Sequence, residues 1–88
     1  MFDAFLAASG APQLQVTIPP NAKLLTIRIW DRFGGEVRTL LNEPQPTSGC
    51  RTLAWDRADD QGQSLSCGYY ICRVTVDERS ESRVALIL

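Results

Sequence analysis

The side chains that could carry chemistry in this chain are its cysteines and acids. The sequence contains no histidine, so the Ser-His-Asp and Cys-His arrangements of nucleophilic hydrolases cannot form. Cys50, Cys67 and Cys72 include no C-x-x-C pair of the kind that zinc sites use. Three cysteines cannot all pair within one chain. We expect free thiols, and a Cys50–Cys67 bridge is left open.

The acids cluster at Asp56, Asp59 and Asp60. A calcium loop needs acids at alternate positions and a glutamate at the twelfth. Counted from Asp56, the third position is Ala58 and the twelfth is Cys67, so the pattern fails. A solvated turn is favoured over a calcium site. We predict no enzyme activity, no metal and no cofactor, since a phosphate-binding glycine loop is missing as well.

Length and charge favour one ordinary domain. The chain has 88 residues, with nine basic and ten acidic side chains for a net charge of −1. This balance predicts no nucleic-acid partner. The first eight residues are apolar, but they lack a basic region and carry Asp3, so we expect no cleavable signal peptide. They are also too short to span a bilayer.

Alternation of apolar and polar residues predicts strands. Strands are expected at Gln13–Ile18, Leu24–Trp30, Glu36–Leu41, Cys50–Asp56, Gly68–Asp77 and Arg83–Leu88. The N-terminal residues 2–8 form a further strand or a single helical turn. We predict an N-terminal arm over residues 1–12 and one all-β domain over 13–88. Six or seven short strands indicate an antiparallel β-sandwich, with a small closed barrel as the alternative.

Several short motifs are spaced along the chain. Trp30-Asp31 ends an apolar strand, and a glycine turn and the strand Val37-Arg38-Thr39-Leu40 follow. A Gly-led strand then ends in Trp-Asp, a D-x-x-G turn comes next, and a final strand opens as Gly-x-Tyr. In order, these last motifs are Gly49 to Asp56, Asp59 to Gly62, and Gly68 to Tyr70.

This series resembles the immunoglobulin-like domain of the flagellar hook-capping protein (FlgD) family. The sequence departs from that family at Trp30, where tyrosine is usual, at Arg57, where glycine is usual, and at Cys67, where a small residue is usual. The resemblance implies an immunoglobulin/fibronectin-III-like antiparallel sandwich of six to seven strands. It also implies a bacterial cell-envelope or extracellular setting. The residues expected to make the fold are Asp31, Gly34, Trp55, Asp56, Gly62, Gly68 and Tyr70.

Two segments are candidate protein-binding elements. The predicted outward faces of two strands hold the residues Arg28, Trp30, Tyr69, Ile71 and Arg73, types enriched at interface hot spots. The alternative is that the arginines cover the rings through cation–π contacts. The apolar arm contributes Phe2, Phe5 and Leu6, which are suited to strand addition at a neighbour's edge.

These observations predict a non-catalytic structural subunit that docks onto other proteins as a homo- or hetero-oligomer, and that meets a membrane only through a partner complex. A surface module that binds carbohydrate or another small ligand is one alternative. A scaffold for flagellar hook assembly is another.

Overall fold

The alternating segments of the sequence form seven strands. The structure is a computed structural model that describes residues 2–5 and 13–87. Within these ranges the strands are β1 (Phe2–Phe5), β2 (Gln13–Ile18), β3 (Leu24–Asp31), β4 (Glu36–Pro44), β5 (Gly49–Ala54), β6 (Gly68–Val76) and β7 (Arg79–Ile87). No helix in the described part of the chain has the length and apolar character needed to cross a membrane.

The strands build two separate antiparallel sheets. One sheet has the order β1-β2-β5, and the other has the order β4-β3-β6-β7. Because the sheets stay separate and face each other, the chain is an immunoglobulin-like β-sandwich and not a closed barrel. The predicted fold class is confirmed.

The core lies between the sheets and follows the period of two. In β2, Leu14, Val16 and Ile18 are buried while the residues between them are exposed. β3 and β6 repeat this alternation, and their fully buried members include Leu25, Ile27, Ile29, Cys72 and Val74. Trp55 follows β5 and is the largest fully buried side chain. Burying these apolar surfaces is the main force that holds the sheets together.

The start of the chain belongs to a sheet. β1 pairs antiparallel with β2, from Phe2 opposite Val16 to Phe5 opposite Gln13. Of the two alternatives for this segment, residues 2–5 therefore form a strand. Residues 6–12, including Leu6, lie outside the described residues, and the division of the chain at residue 12 stays a prediction.

The last hairpin is longer than its composition suggests. The polar residues 78–82 separate the predicted strands Gly68–Asp77 and Arg83–Leu88, but β7 already begins at Arg79, opposite Val76. The turn is reduced to Asp77 and Glu78, with Asp77 at φ +55°. The Oδ1 atom of Asp77 accepts N–H bonds from Lys23 (2.8 Å) and Leu24 (3.0 Å). These bonds tie the hairpin to the start of β3.

Candidate protein-docking surface

An apolar row crosses the outer face of the four-stranded sheet. Trp30 on β3 lies opposite Ile71 on β6, and Ile71 lies opposite Val84 on β7. We call Trp30, Ile71 and Val84 the apolar row. Val84 is 56% exposed, and the other two are partly exposed. Facing residues on neighbouring strands lie close enough to touch, so the row is one continuous strip across three strands.

A pair of arginines lies beside this row. Arg28 and Arg73 are facing residues on β3 and β6, two residues along the strands from Trp30 and Ile71 and on the same face of the sheet. Arg28 Nε lies 3.2 Å from Glu36 Oε1, whereas Arg73 Nε donates to Ser82 Oγ at 3.2 Å. On the other side of the row, Tyr69 is 45% exposed. The fold thus brings together all five residues expected on this face.

The arginines do not cover the aromatic rings of this face. Among the described residues, the cation–π contact found is that of Arg32, whose Cζ lies 4.9 Å from the centre of the Phe33 ring. Arg28 and Arg73 are instead engaged by Glu36 and Ser82. The row therefore keeps its exposure.

Trp30 has an unusual polar atom. Its Nε1 is buried and has no hydrogen-bond acceptor in the described part of the chain. An unpaired buried donor costs about 1–3 kcal/mol.

The outer face of the other sheet differs in character. On β2, the outward residues Gln13, Gln15 and Thr17 are all polar and exposed. On β5, Thr52 is exposed, and Cys50 accepts a bond from the Gln15 side chain at 3.2 Å. This polar face is suited to water, so the two faces of the sandwich are not equivalent.

Val84 was not among the predicted site residues. The signal for it lies in the RVALIL segment, where Ala85 and Ile87 are buried and Val84 faces outward. The segment is apolar at every position from Val84 to Leu88, so its sequence does not show which alternate residues face the core.

The arm residues belong to the other sheet. Phe2 and Phe5 lie in β1, an edge strand of the three-stranded sheet that contacts β7 of the other sheet. The four-stranded sheet that carries the apolar row does not include β1. Leu6 lies outside the described residues.

The motif residue Asp31 organises the β3–β4 turn. Its Oδ1 accepts N–H bonds from Phe33 and Gly35, each at 2.8 Å. Gly34 has φ +89°, a conformation in which a side chain is strained. The same turn leaves Phe33 82% exposed.

Residues 55–67, between β5 and β6, form the acidic loop, which carries Asp56, Asp59 and Asp60. This loop covers the free edge of β4. Asp60 N donates to Val37 O at 2.9 Å, and Asp60 Oδ1 accepts the Thr39 N–H at 2.9 Å. This loop also contains Gly62 at φ +82°. The bonds to β4 replace those of a neighbouring strand, which protects an edge that could otherwise pair with another chain.

The side chain of Arg38 on β4 reaches into this loop. Arg38 Nη1 donates to Asp59 O at 2.9 Å and lies 3.4 Å from both Ala58 O and Asp56 Oδ1. The described residues hold no group of three or more metal-ligating side chains. The guanidinium thus binds oxygens of the same segment in which the calcium alternative was placed.

The remaining motif residues pack the core. The Trp55 and Tyr70 rings meet edge to face, with centroids 5.8 Å apart at 76°. Trp55 Nε1 donates to Ala58 O at 3.0 Å, and the Tyr70 hydroxyl donates to Ser66 O at 2.8 Å. Gly68, at φ +141°, opens β6. These contacts join the acidic loop to both sheets.

All three thiols are free. Cys50 and Cys67 are exposed, whereas Cys72 is buried in the core. Burial raises the pKa of Cys72 from its ordinary value of 9.0 to about 12. Desolvation disfavours the thiolate, so this thiol is a packing group.

Together, these features define an immunoglobulin-like domain with polar outward residues on β2 and β5 and an apolar row on the outer face of the other sheet. A family model described as the FlgD Ig-like domain matches residues 3–80. The chain therefore belongs to the FlgD Ig-like domain family.

A solved structure is similar in fold. FlgD from P. aeruginosa superposes with a TM-score of 0.61 and 16% identity, over 97% of this chain and 64% of that chain. At this identity the likeness concerns the fold, and this chain spans less than two thirds of that protein. A comparison with curated proteins gave no match.

Proposed function

We propose that this chain is a non-catalytic structural module that docks onto other protein subunits of a larger assembly. The observation that carries the proposal is the apolar row, which is continuous across three strands and ends in Val84 at 56% exposure. Single exposed apolar residues are ordinary, whereas contiguous ones mark interaction sites. The polar outer face of β2 and β5 supports the assignment of docking to the other sheet.

A non-catalytic role agrees with the side chains available. The sequence offers no histidine to activate a nucleophile. The raised pKa of Cys72 keeps that thiol protonated and unreactive. The acids Asp59 and Asp60 bind backbone groups of the loop and of β4.

The proposal is tested by the oligomeric state and the co-purifying partners of the native protein. Light scattering and mass spectrometry are applied to the wild type and to Ile71→Asp, which places a charge in the apolar row. Thr52→Asp is the matched control, because it places the same charge on the polar face. We expect a discrete complex that Ile71→Asp dissociates and Thr52→Asp preserves. A monomer without partners would contradict the proposal and favour the ligand-binding alternative, which a glycan array would then test.

Membership of the FlgD Ig-like family favours the flagellar hook as the setting of this module. The specific test is co-sedimentation of the protein with isolated hook structures from its own cell. Recovery of the protein in another envelope fraction would leave the docking role in place, but that fraction would replace the flagellar hook as its setting.

A further inference from the structure

We infer that the apolar row and Arg73 recognise a partner segment in which a carboxylate lies next to an aliphatic or aromatic side chain. This inference rests on the proposed docking function and names the chemistry of the partner. It follows from the charges that surround the row.

The first observation is the arginine pair. Arg28 and Arg73 face each other across β3 and β6 and lie on the same face. Like charges in facing positions destabilise a sheet. Glu36 compensates the charge of Arg28, at 3.2 Å. Arg73 binds Ser82 Oγ through Nε alone, and its two terminal nitrogens have no acceptor among the described residues. They form an open fork that matches the two oxygens of a carboxylate.

The second observation is the position of this fork. Arg73 lines a shallow depression of about 370 Å³ together with Trp30 and Ile71, and Arg32 from the β3–β4 turn lines it as well. Asp31 also lines the depression, but its Oδ1 already accepts two N–H bonds of its own turn. A cationic group and an apolar floor therefore share one cavity. A partner that offered only a charge, or only an apolar side chain, would contact only one of these two parts.

The third observation is the buried Nε1 of Trp30, which lacks an acceptor. Trp30 and Arg73 line the same depression. Because this nitrogen is buried, a carboxylate or peptide oxygen bound there would reach the guanidinium directly and the indole only after the ring turns towards the depression.

The probe for the test is a phage-displayed library of random peptides, panned against the whole chain at low salt. We expect the selected peptides to place Asp or Glu beside an apolar residue. Synthetic copies are then titrated against Arg73→Gln, which removes the charge and keeps a polar side chain of similar reach. Binding should weaken about tenfold or more, the loss that corresponds to one charge-assisted hydrogen bond. Replacing the peptide's acid with its amide should cause a similar loss for the wild type and little loss for Arg73→Gln. Arg79→Gln, at the far end of β7, is the control and should leave binding unchanged.

The outcomes separate the inference from the function on which it rests. Peptides that bind through Ile71 but show no acidic preference, or that bind Arg73→Gln equally well, would overturn the carboxylate chemistry and leave docking in place. A library that yields no Ile71-dependent peptide would overturn both. Equal binding by single-stranded nucleic acid would also contradict the inference, since it would reduce Arg73 to a general anion contact.

Discussion

Asp31 and Asp59 occupy the same position in two turns with the same hydrogen bonds. Each Oδ1 accepts N–H bonds from the residues two and four places later, at 2.8–2.9 Å. Each residue also exchanges backbone bonds with its turn, and a glycine with positive φ stands three places later in both. One D-x-x-G-x turn is therefore used twice, once to join β3 to β4 and once to shape the loop that covers β4.

The shared turn predicts that the two aspartates contribute alike. Replacement of either Asp31 or Asp59 with Ala should lower the free energy of unfolding by about 1–2 kcal/mol, because two backbone donors lose their acceptor at an exposed site. Asn should retain most of the stability, since its side-chain oxygen still accepts. Urea denaturation measures the change. A loss confined to only one of the two Ala variants would refute the equivalence.

Arg57 predicts a stabilising substitution. It has φ +61°, a left-handed conformation that costs a residue with a side chain about 1–2 kcal/mol. Arg57→Gly removes this strain, although glycine gains entropy in the unfolded chain. The net effect should be a gain of up to about 1 kcal/mol in thermal or urea denaturation.

The control for Arg57 is Arg79→Gly in β7, where the strand conformation needs no glycine. This variant should lose stability by about 0.5–1 kcal/mol. A loss from Arg57→Gly as large as that from Arg79→Gly would contradict the strain argument.

Removal of the Arg38 guanidinium should lower the free energy of unfolding. The loss should come from hydrogen bonds more than from charge. Arg38→Met keeps an apolar stem of similar length but removes the guanidinium bonds to the Ala58 and Asp59 carbonyls, which keep the donors Trp55 Nε1 and Gly62 N. We expect about 0.5–1.5 kcal/mol of destabilisation in urea, the net contribution of an ordinary hydrogen bond. The two aspartate partners are more than half exposed, so their ion pairs add little. If 1 M NaCl abolished the difference between wild type and variant, the hydrogen-bond explanation would be wrong.

Cys72 predicts how stability falls at high pH. Its pKa is about 12 in the folded chain against an ordinary 9.0, so the unfolded chain loses its proton first. The stabilisation is complete below pH 9 and is lost as the pH rises towards 12, by up to about 4 kcal/mol.

The measurement is urea denaturation at several values between pH 8 and pH 11. Cys72→Ala should be less stable at neutral pH because of its cavity, but its stability should fall less steeply as pH rises. Cys67→Ala is the exposed control and should keep the wild-type slope. Equal slopes for all three proteins would rule out Cys72 as the source.

The strands were predictable wherever one face is buried. The alternation in β2, β3 and β6 fixes which residues enter the core, and the pairing of Trp30 with Ile71 follows once β3 and β6 are neighbours. The sequence left open whether these two strands belong to one sheet, and the structure shows that they do. Periodicity alone does not distinguish one sheet order from another.

Other features were beyond the sequence because they depend on contacts between distant segments. The polar start of β7 is a strand because β6 pairs with it, whatever its composition. The role of Asp60 depends on β4 lying beside the loop. To place Val84 on the outer face, one must know which residues of the apolar run RVALIL face the core. Each of these is a tertiary effect that overrides local preference.

The two outer faces of the sandwich differ in polarity, so the domain has one side suited to a partner and another suited to solvent. A partner held on the outer face of the four-stranded sheet leaves the glutamines and threonines of β2 turned away from the contact. Among the described side chains of that face, a second layer would find no apolar strip on which to build. We expect such a domain to add a single layer to an assembly, because the side turned away from the contact lacks a second surface of the same kind.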